Sequence, residues 1–194
     1  TCATCHMSAG GKERKTHNVG ERISWTLRPP ISKKLNLVKM DNGNEHDVPE
    51  GQPVPKVGEE FKGAKVVEVL TWQDRRAKMQ QICTACHSKG VVEGHYIQFD
   101  GVVDLYNEKF AKPIAAIMED LKKDGYISAA PFDEKIEWVW WEIWHHEGRR
   151  ARHGAAMSGP DYTWWHGIYE VAQHTYFKLI PEMPSMFRYQ NLTM

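Results

Sequence analysis

The chain has 194 residues, and its 25 lysines and arginines balance 25 aspartates and glutamates, so no global field selects nucleic acid or an anionic membrane as partner. With 41% hydrophobic residues there is enough apolar content to bury a core, in one domain or a large part of one. No run of about eighteen apolar residues occurs and no basic-then-apolar leader opens the chain, so no membrane span is expected in this segment.

In chain order, residues 1–30 carry Cys2-Ala3-Thr4-Cys5-His6, then Thr16-His17-Asn18-Val19-Gly20, a helical or turn-rich stretch that stops at Pro29-Pro30. Residues 31–70 change character. Leu35-Asn36-Leu37-Val38-Lys39, the turn Asp41-Asn42-Gly43-Asn44 and Ala64-Lys65-Val66-Val67-Glu68-Val69 predict a small hairpin or extended excursion on the surface. From residue 71 to 194 helical spacing takes over. Trp72 to Gln81 leads into Cys83-Thr84-Ala85-Cys86-His87, and long helices are expected at about 100–123, 132–153 and 159–179. The fold class this predicts is mainly α, with long C-terminal helices and a small extended or hairpin excursion.

All four cysteines fall in two copies of CxxCH, the signature of covalent c-type haem attachment. Two thiols three positions apart reach the two vinyl groups of one porphyrin edge, and the adjoining imidazole swings under the ring to bind iron. The alternative is a zinc site, since two CxxC pairs can supply four thiolates to one metal. The histidines weigh against zinc: with 10 in 194 residues, one after both pairs by chance has a likelihood of about (10/194)², roughly 0.3%. Zinc ribbons also space their halves more tightly than the 81 positions from Cys2 to Cys83. The chain therefore reads as a carrier of two haems c, held by Cys2, Cys5 and His6 and by Cys83, Cys86 and His87. Haem is normally attached outside the cytoplasm, so an extracytoplasmic location is expected, and Thr1 is not expected to be the natural start.

Two haems with two axial side chains each need four ligands, of which His6 and His87 are the proximal pair. His17, His145 or His146, and His166 are the candidate distal ligands; His95 is a weaker one and His46 is expected to face solvent. The run Glu137-Trp138-Val139-Trp140-Trp141-Glu142-Ile143-Trp144-His145-His146-Glu147-Gly148-Arg149-Arg150-Ala151-Arg152-His153 packs tryptophan, histidine and arginine into one helix. His146 and His153 share one face, whereas His145 lies with Arg149 and Arg152, so one face can offer imidazole to iron and another guanidinium to haem propionates. The plainer alternative is an amphipathic core helix with a solvated basic end. The last helix is expected to open with a capping box at Ser158-Gly159-Pro160-Asp161. Tyr162, His166, Tyr169, Gln173 and Tyr176 then form one stripe, and Gly167 leaves room for a large planar group.

The stretches Thr16-His17-Asn18-Val19, Leu105-Tyr106-Asn107-Glu108-Lys109-Phe110-Ala111-Lys112-Pro113, Trp144 to Arg152 and Gly159-Pro160-Asp161-Tyr162-Thr163-Trp164-Trp165-His166-Gly167 resemble the C-terminal portion of octahaem hydroxylamine oxidoreductases, a family that includes hydrazine dehydrogenases. The resemblance runs over nearly the whole chain. It implies that residues 1–194 are the C-terminal part of a mostly helical multihaem cytochrome c with about eight haems in the full family member. It implies a homotrimer with haem contact between subunits, and a periplasmic or anammoxosome-lumen location. It also implies a small inorganic nitrogen substrate and a soluble cytochrome as electron acceptor. The activity implied is oxidation of hydroxylamine to nitric oxide or nitrite, or of hydrazine to dinitrogen, at a haem crosslinked to a tyrosine of the neighbouring subunit. Tyr162 is the residue that matches this role, with Tyr169 as the fallback. Two features depart from the family pattern: only two of eight CxxCH motifs are present, and the tyrosine does not fix the direction of the reaction. The alternatives are a dihaem electron-transfer cytochrome c and a nitrite-reducing relative.

Overall fold

The computed structural model describes residues 2–10 and 13–183. The chain divides into two compact units, one made of Thr1–Thr26 and Lys33–Gly94, the other of Leu27–Ser32 and His95–Met194.

In the first unit a five-stranded antiparallel sheet is built from β1 (Trp25–Thr26), β2 (Lys33–Met40), β3 (Glu45–Pro49), β4 (Glu60–Phe61) and β5 (Ala64–Leu70), in the order β1-β2-β5-β4 with β3 also pairing β2. This corrects the expectation of a mainly α chain with a small extended excursion: the sheet forms a substantial part of the fold. The physical reason lies in β2. Leu35, Asn36, Leu37 and Val38 are buried in succession, so both faces are covered and the strand shows no alternation that would advertise a sheet. Val38, Met40, Val48 and Val66 form its core. The β2–β3 turn is the sequence-predicted one: Gly43 takes φ 82°, a left-handed conformation that a side chain would strain, and Asn42 Oδ1 accepts from the Asn44 amide at 3.0 Å.

Helix α1 (Cys2–His6) is a single turn packed against α2 (Trp72–Cys83). Thr71 and Asp74 start α2 with a reciprocal capping box. The helix is bound to the sheet by polar groups: the Trp72 amide donates to Asn36 Oδ1 at 3.1 Å, and the buried Arg75 donates to the carbonyls of Leu35, Glu21 and Gly20.

The second unit is helical. It receives most of α3 (Lys89–Tyr106), which leads through a π-helical stretch, Asn107–Ala111, into α4 (Lys112–Lys123). Pro113 lies in the first turn of α4, where it has no N–H to donate; the wider π turn before it keeps the helical path going. After a loop, α5 (Lys135–Trp141), the π-helical Glu142–Gly148 and α6 (Arg149–Ala156) make one continuous run. A second run is made of α7 (Pro160–Thr163), the π-helical Trp164–Tyr169, α8 (Glu170–His174) and the π-helical Thr175–Leu179. Tyr106, Phe110, Ile114, Ile136, Ile143, Val171 and Leu179 are among the core residues.

Residues Leu27–Ser32 are held to this core by polar side chains. Arg152, 0% exposed, donates from Nε to Gly148 O at 2.8 Å, from one terminal nitrogen to Pro29 O at 2.9 Å and to Ser32 Oγ, and from the other to Trp144 O at 3.1 Å. Tyr106 donates its hydroxyl to Pro30 O at 3.0 Å, and Asn107 exchanges two hydrogen bonds with the Ser32 backbone. Among the described residues no helix is long and apolar enough to cross a membrane.

Candidate functional site

The one-turn helix α1 sets Cys2 and Cys5 three positions apart on one face, with His6 next to them. In the second motif Cys83 is the last residue of α2; beyond it the amides of Cys86 and His87 both bond the Cys83 carbonyl, at 3.1 and 2.9 Å. The turn thus repeats the same three-residue offset between thiols. All four cysteines are free. Cys83 has its thiol pushed up by burial, with Cys5 adding to the effect from the neighbouring motif.

A four-thiolate zinc centre needs its donors within one coordination sphere. Among the described residues the only group of three or more potential ligand residues with donor atoms within 4.8 Å of one another is Asp133, Glu134 and Glu137, not the cysteines. Those carboxylates start α5: Glu134 and Glu137 form its capping box, and Asp133 Oδ2 accepts from Ser128 Oγ at 2.8 Å.

His6 carries an orphaned atom. Its Nδ1 is buried without a hydrogen-bond partner, and its pKa is lowered by burial and by the nearby Arg22 guanidinium. Two free thiols on one helical turn beside a neutral imidazole are what covalent haem attachment demands, so the residues fit that group. His87, at the second motif, is exposed.

Of the sequence-predicted distal histidines, His17 belongs to the first unit and His145, His146 and His166 to the second. His17 is exposed in the loop between α1 and β1. His145 and His146 lie in the π-helical Glu142–Gly148, and His166 in the π-helical Trp164–Tyr169. Such wide turns recur at functional sites because they re-aim side chains. The ring of His145 is stacked on Trp141 with centroids 4.2 Å apart and lies edge-on to Trp144 at 5.0 Å. Among the described residues its buried Nδ1 has no hydrogen-bond partner, and burial followed by Arg149, His146 and Arg28 lowers its pKa. His146 instead has Nδ1 3.0 Å from Glu147 Oε1 and both ring nitrogens 3.1 Å from the Arg150 guanidinium. His166 has Nδ1 3.1 Å from Glu170 Oε1.

Tyr162 sits in α7 with 57% of its surface exposed, its ring 6.0 Å from that of His166. Tyr169 and Tyr176 are exposed too, so the expected stripe faces outward in this unit. The capping box expected at residues 158–161 does not form: Gly159 is the N-cap without a side-chain bond, and Ser158, at φ 55°, has its Oγ 3.1 Å from His95 Nδ1. Gly167 is packed against a helix, not open to a planar group, since a Cβ there would lie 2.7 Å from Ala151 Cα. His46 packs edge-on against Phe61 at 5.9 Å.

The three arginines of α6 part company. Arg150 pairs with Glu170 and His146, Arg152 is buried on backbone carbonyls, and Arg149 is left beside His145. Sequence reasoning missed Arg22, whose partners are main-chain oxygens, and Glu147, which is 4% exposed and has Oε2 3.6 Å from His174 Nδ1. It also missed a cavity of about 240 Å³ lined by His95, Gln98, Val102, Ser158, Thr163 and Trp164.

No family model and no curated protein matches the chain. Its fold is similar to that of a solved structure described as a hypothetical multihaem protein, with TM-score 0.66 and 20% identity over 100% of this chain and 45% of that one. It is also similar to a reducing HAO-like protein complex of Kuenenia stuttgartiensis, with TM-score 0.64 and 16% identity over 100% of this chain and 46% of that one. The chain thus spans less than half the length of either structure, and at these identities the likeness is one of fold: the chain has an HAO-like fold.

Proposed function

We propose that the chain is the haem-carrying C-terminal part of an extracytoplasmic oxidoreductase of inorganic nitrogen compounds, acting on hydroxylamine or hydrazine. The observation that carries this is the pair of CxxCH turns, each with two free thiols at helical offset beside an imidazole, within a fold shared with multihaem proteins. Cys2, Cys5 and His6 hold one haem c, and Cys83, Cys86 and His87 the other. When bound, these groups supply one-electron redox chemistry to a relay.

The chain's own residues do the rest. His6 would offer its imidazole to the iron. His17, His145, His146 and His166 are the available distal ligands, and His145 is the one already oriented by aromatic stacking. For His166, Glu170 lies against Nδ1, the kind of contact that orients a metal-bound histidine and would leave Nε2 to reach iron. In this reading Tyr162 modifies the haem of a neighbouring subunit of a homotrimer, and its exposure on α7 supports that role. A soluble cytochrome is the electron acceptor in this reading.

The second reading is a reductive relative acting on nitrite. It is favoured by one observation, that a structure sharing the fold is described as reducing. Mass spectrometry and the reduced optical spectrum of the native protein separate the readings. Two covalent haems on this chain with a haem adduct on Tyr162 and a red-shifted band support the oxidative enzyme. Two haems with ordinary c-type bands and an unmodified Tyr162 support the reductive relative or an electron carrier. A chain without covalent haem overturns all of them.

A further inference from the structure

Arg22 is 3% exposed and makes no ion pair to account for its burial among the described residues. Its guanidinium gathers the chain around the first motif: one terminal nitrogen donates to Cys5 O at 2.9 Å, the other to Ser8 O at 3.0 Å and to Arg14 O at 2.7 Å. The first of these carbonyls belongs to the residue joined to His6. A permanent cation is therefore fixed beside the proximal imidazole by three main-chain oxygens. Burying it has a cost, which the three charge-assisted bonds offset.

His6 adds a second feature. A metal-bound histidine usually donates its other ring N–H to a carboxylate or carbonyl, which raises its basicity as a ligand. Nδ1 of His6 is buried and has no such acceptor among the described residues. A less basic axial imidazole, a nearby cation and partial burial all disfavour the extra positive charge of ferric iron, and so all raise a reduction potential. His87 is exposed, where water favours the oxidised form.

We infer that Arg22 is a positioning residue for the first motif and makes the centre held by Cys2, Cys5 and His6 the higher-potential one of the two that this chain carries. The inference rests on the haem reading above and goes beyond it by ordering the two centres. Sequence spacing carries no trace of it, because the two CxxCH motifs are alike and the partners of Arg22 are backbone atoms.

The test uses the full chain, matured with covalent haem, as wild type, Arg22→Gln and Arg22→Lys. Covalent haem is counted by intact mass and potentials are read by optical redox titration. Arg22→Gln is expected to lower the higher-potential wave by about tenfold in its equilibrium constant, about 59 mV for one electron, and to leave the lower wave in place. Arg22→Lys, which keeps the charge, is expected to stay near wild type. The inference is overturned if Arg22→Gln moves the lower wave, or moves neither with both haems retained. Should Arg22→Gln lose the first haem, Arg22→Lys decides: a wild-type upper wave supports the role of charge, and a wave lowered tenfold overturns it. A wild-type chain that carries no haem overturns the haem reading itself, a result distinct from two haems with unmoved waves.

Discussion

Glu170 places Oε1 3.1 Å from Nδ1 of His166 and its other oxygen 3.0 Å from the Arg150 guanidinium, so one carboxylate joins the imidazole of the last helical run to a cation of the preceding one. A carboxylate oxygen accepts, so a hydrogen bond here is donated by the Nδ1–H of His166. The Arg150–Glu170 pair is about a quarter exposed, at 25% and 26% for the two side chains, so it is neither a solvated surface pair nor a fully buried one.

Glu170→Ala is expected to lower stability by about 0.5–1 kcal/mol, and Arg150→Ala by a similar amount. Because the two share one interaction, the double variant should lose less than the sum. Urea denaturation of the four proteins measures this. Additive losses would show that the pair contributes nothing.

Arg152 is the largest fully buried side chain, and burial lowers its pKa to about 10 although its ring neighbour Tyr106, 4.2 Å away, favours the charge. Its donors reach the carbonyls of Gly148, Trp144 and Pro29, so removing it takes a charge-assisted hydrogen bond from each. Arg152→Met, close in volume, is expected to cost about 3 kcal/mol or more. Arg152→Lys should recover little of it, since a lysine cannot reproduce the planar fork. The denaturation midpoint and the protection of residues 27–32 in hydrogen exchange are the readouts.

The helices of the second unit and the two CxxCH motifs were legible in the sequence because each is a local pattern. Helix α3 starts at Lys89, well before the expected 100, since Gly90 and Gly94 lower the apparent propensity without meeting any obstacle in the fold. The segments of β2 and β5 were legible as an extended excursion, but the extent of the sheet was not: β2 is covered on both faces, and β3, Glu45-His46-Asp47-Val48-Pro49, has the composition of a loop and is recruited by pairing with β2. At the proposed haem site, residue types and spacing single out Cys2, Cys5, His6, Cys83, Cys86 and His87. They do not identify what surrounds them. Arg22 and Arg152 bond to main-chain oxygens, which have no letter in the sequence, and Gly167 reads equally well as clearance for a ligand or for Ala151.

Glycine substitutions separate these meanings. A Cβ at Gly167 would lie 2.5 Å from Tyr162 O and 2.7 Å from Ala151 Cα, both of them backbone atoms that cannot swing aside. Gly167→Ala is expected to destabilise by about 1–3 kcal/mol through overpacking. At Gly101, inside α3, nothing lies within 4 Å of an added Cβ. Gly101→Ala is expected to stabilise by about 0.5–1 kcal/mol by restricting the unfolded chain. Thermal melts of the two variants should therefore move in opposite directions from wild type.

His153 supplies a pH test away from the haem motifs. Its pKa is lowered below 6.5 by burial first, then by Arg149, Arg152 and Arg28. The sign follows from proton counting. The folded state holds the His153 proton more weakly than the unfolded chain, so just below pH 6.5 the unfolded chain binds more protons, and stability rises with pH through that range. It falls as the solution is acidified. His6 and His145 are shifted the same way and add to the slope. Asp133 and Glu134 are displaced from lower starting values, 3.8 and 4.5. Denaturant midpoints compared at about pH 7.5 and about pH 6 should therefore report mainly on the histidines. The wild-type midpoint is expected to be lower at the acid end, and His153→Gln, which cannot gain a proton, should show a shallower fall. An equal fall in the variant would mean that neither burial nor the neighbouring arginines weaken the hold of the folded chain on the His153 proton.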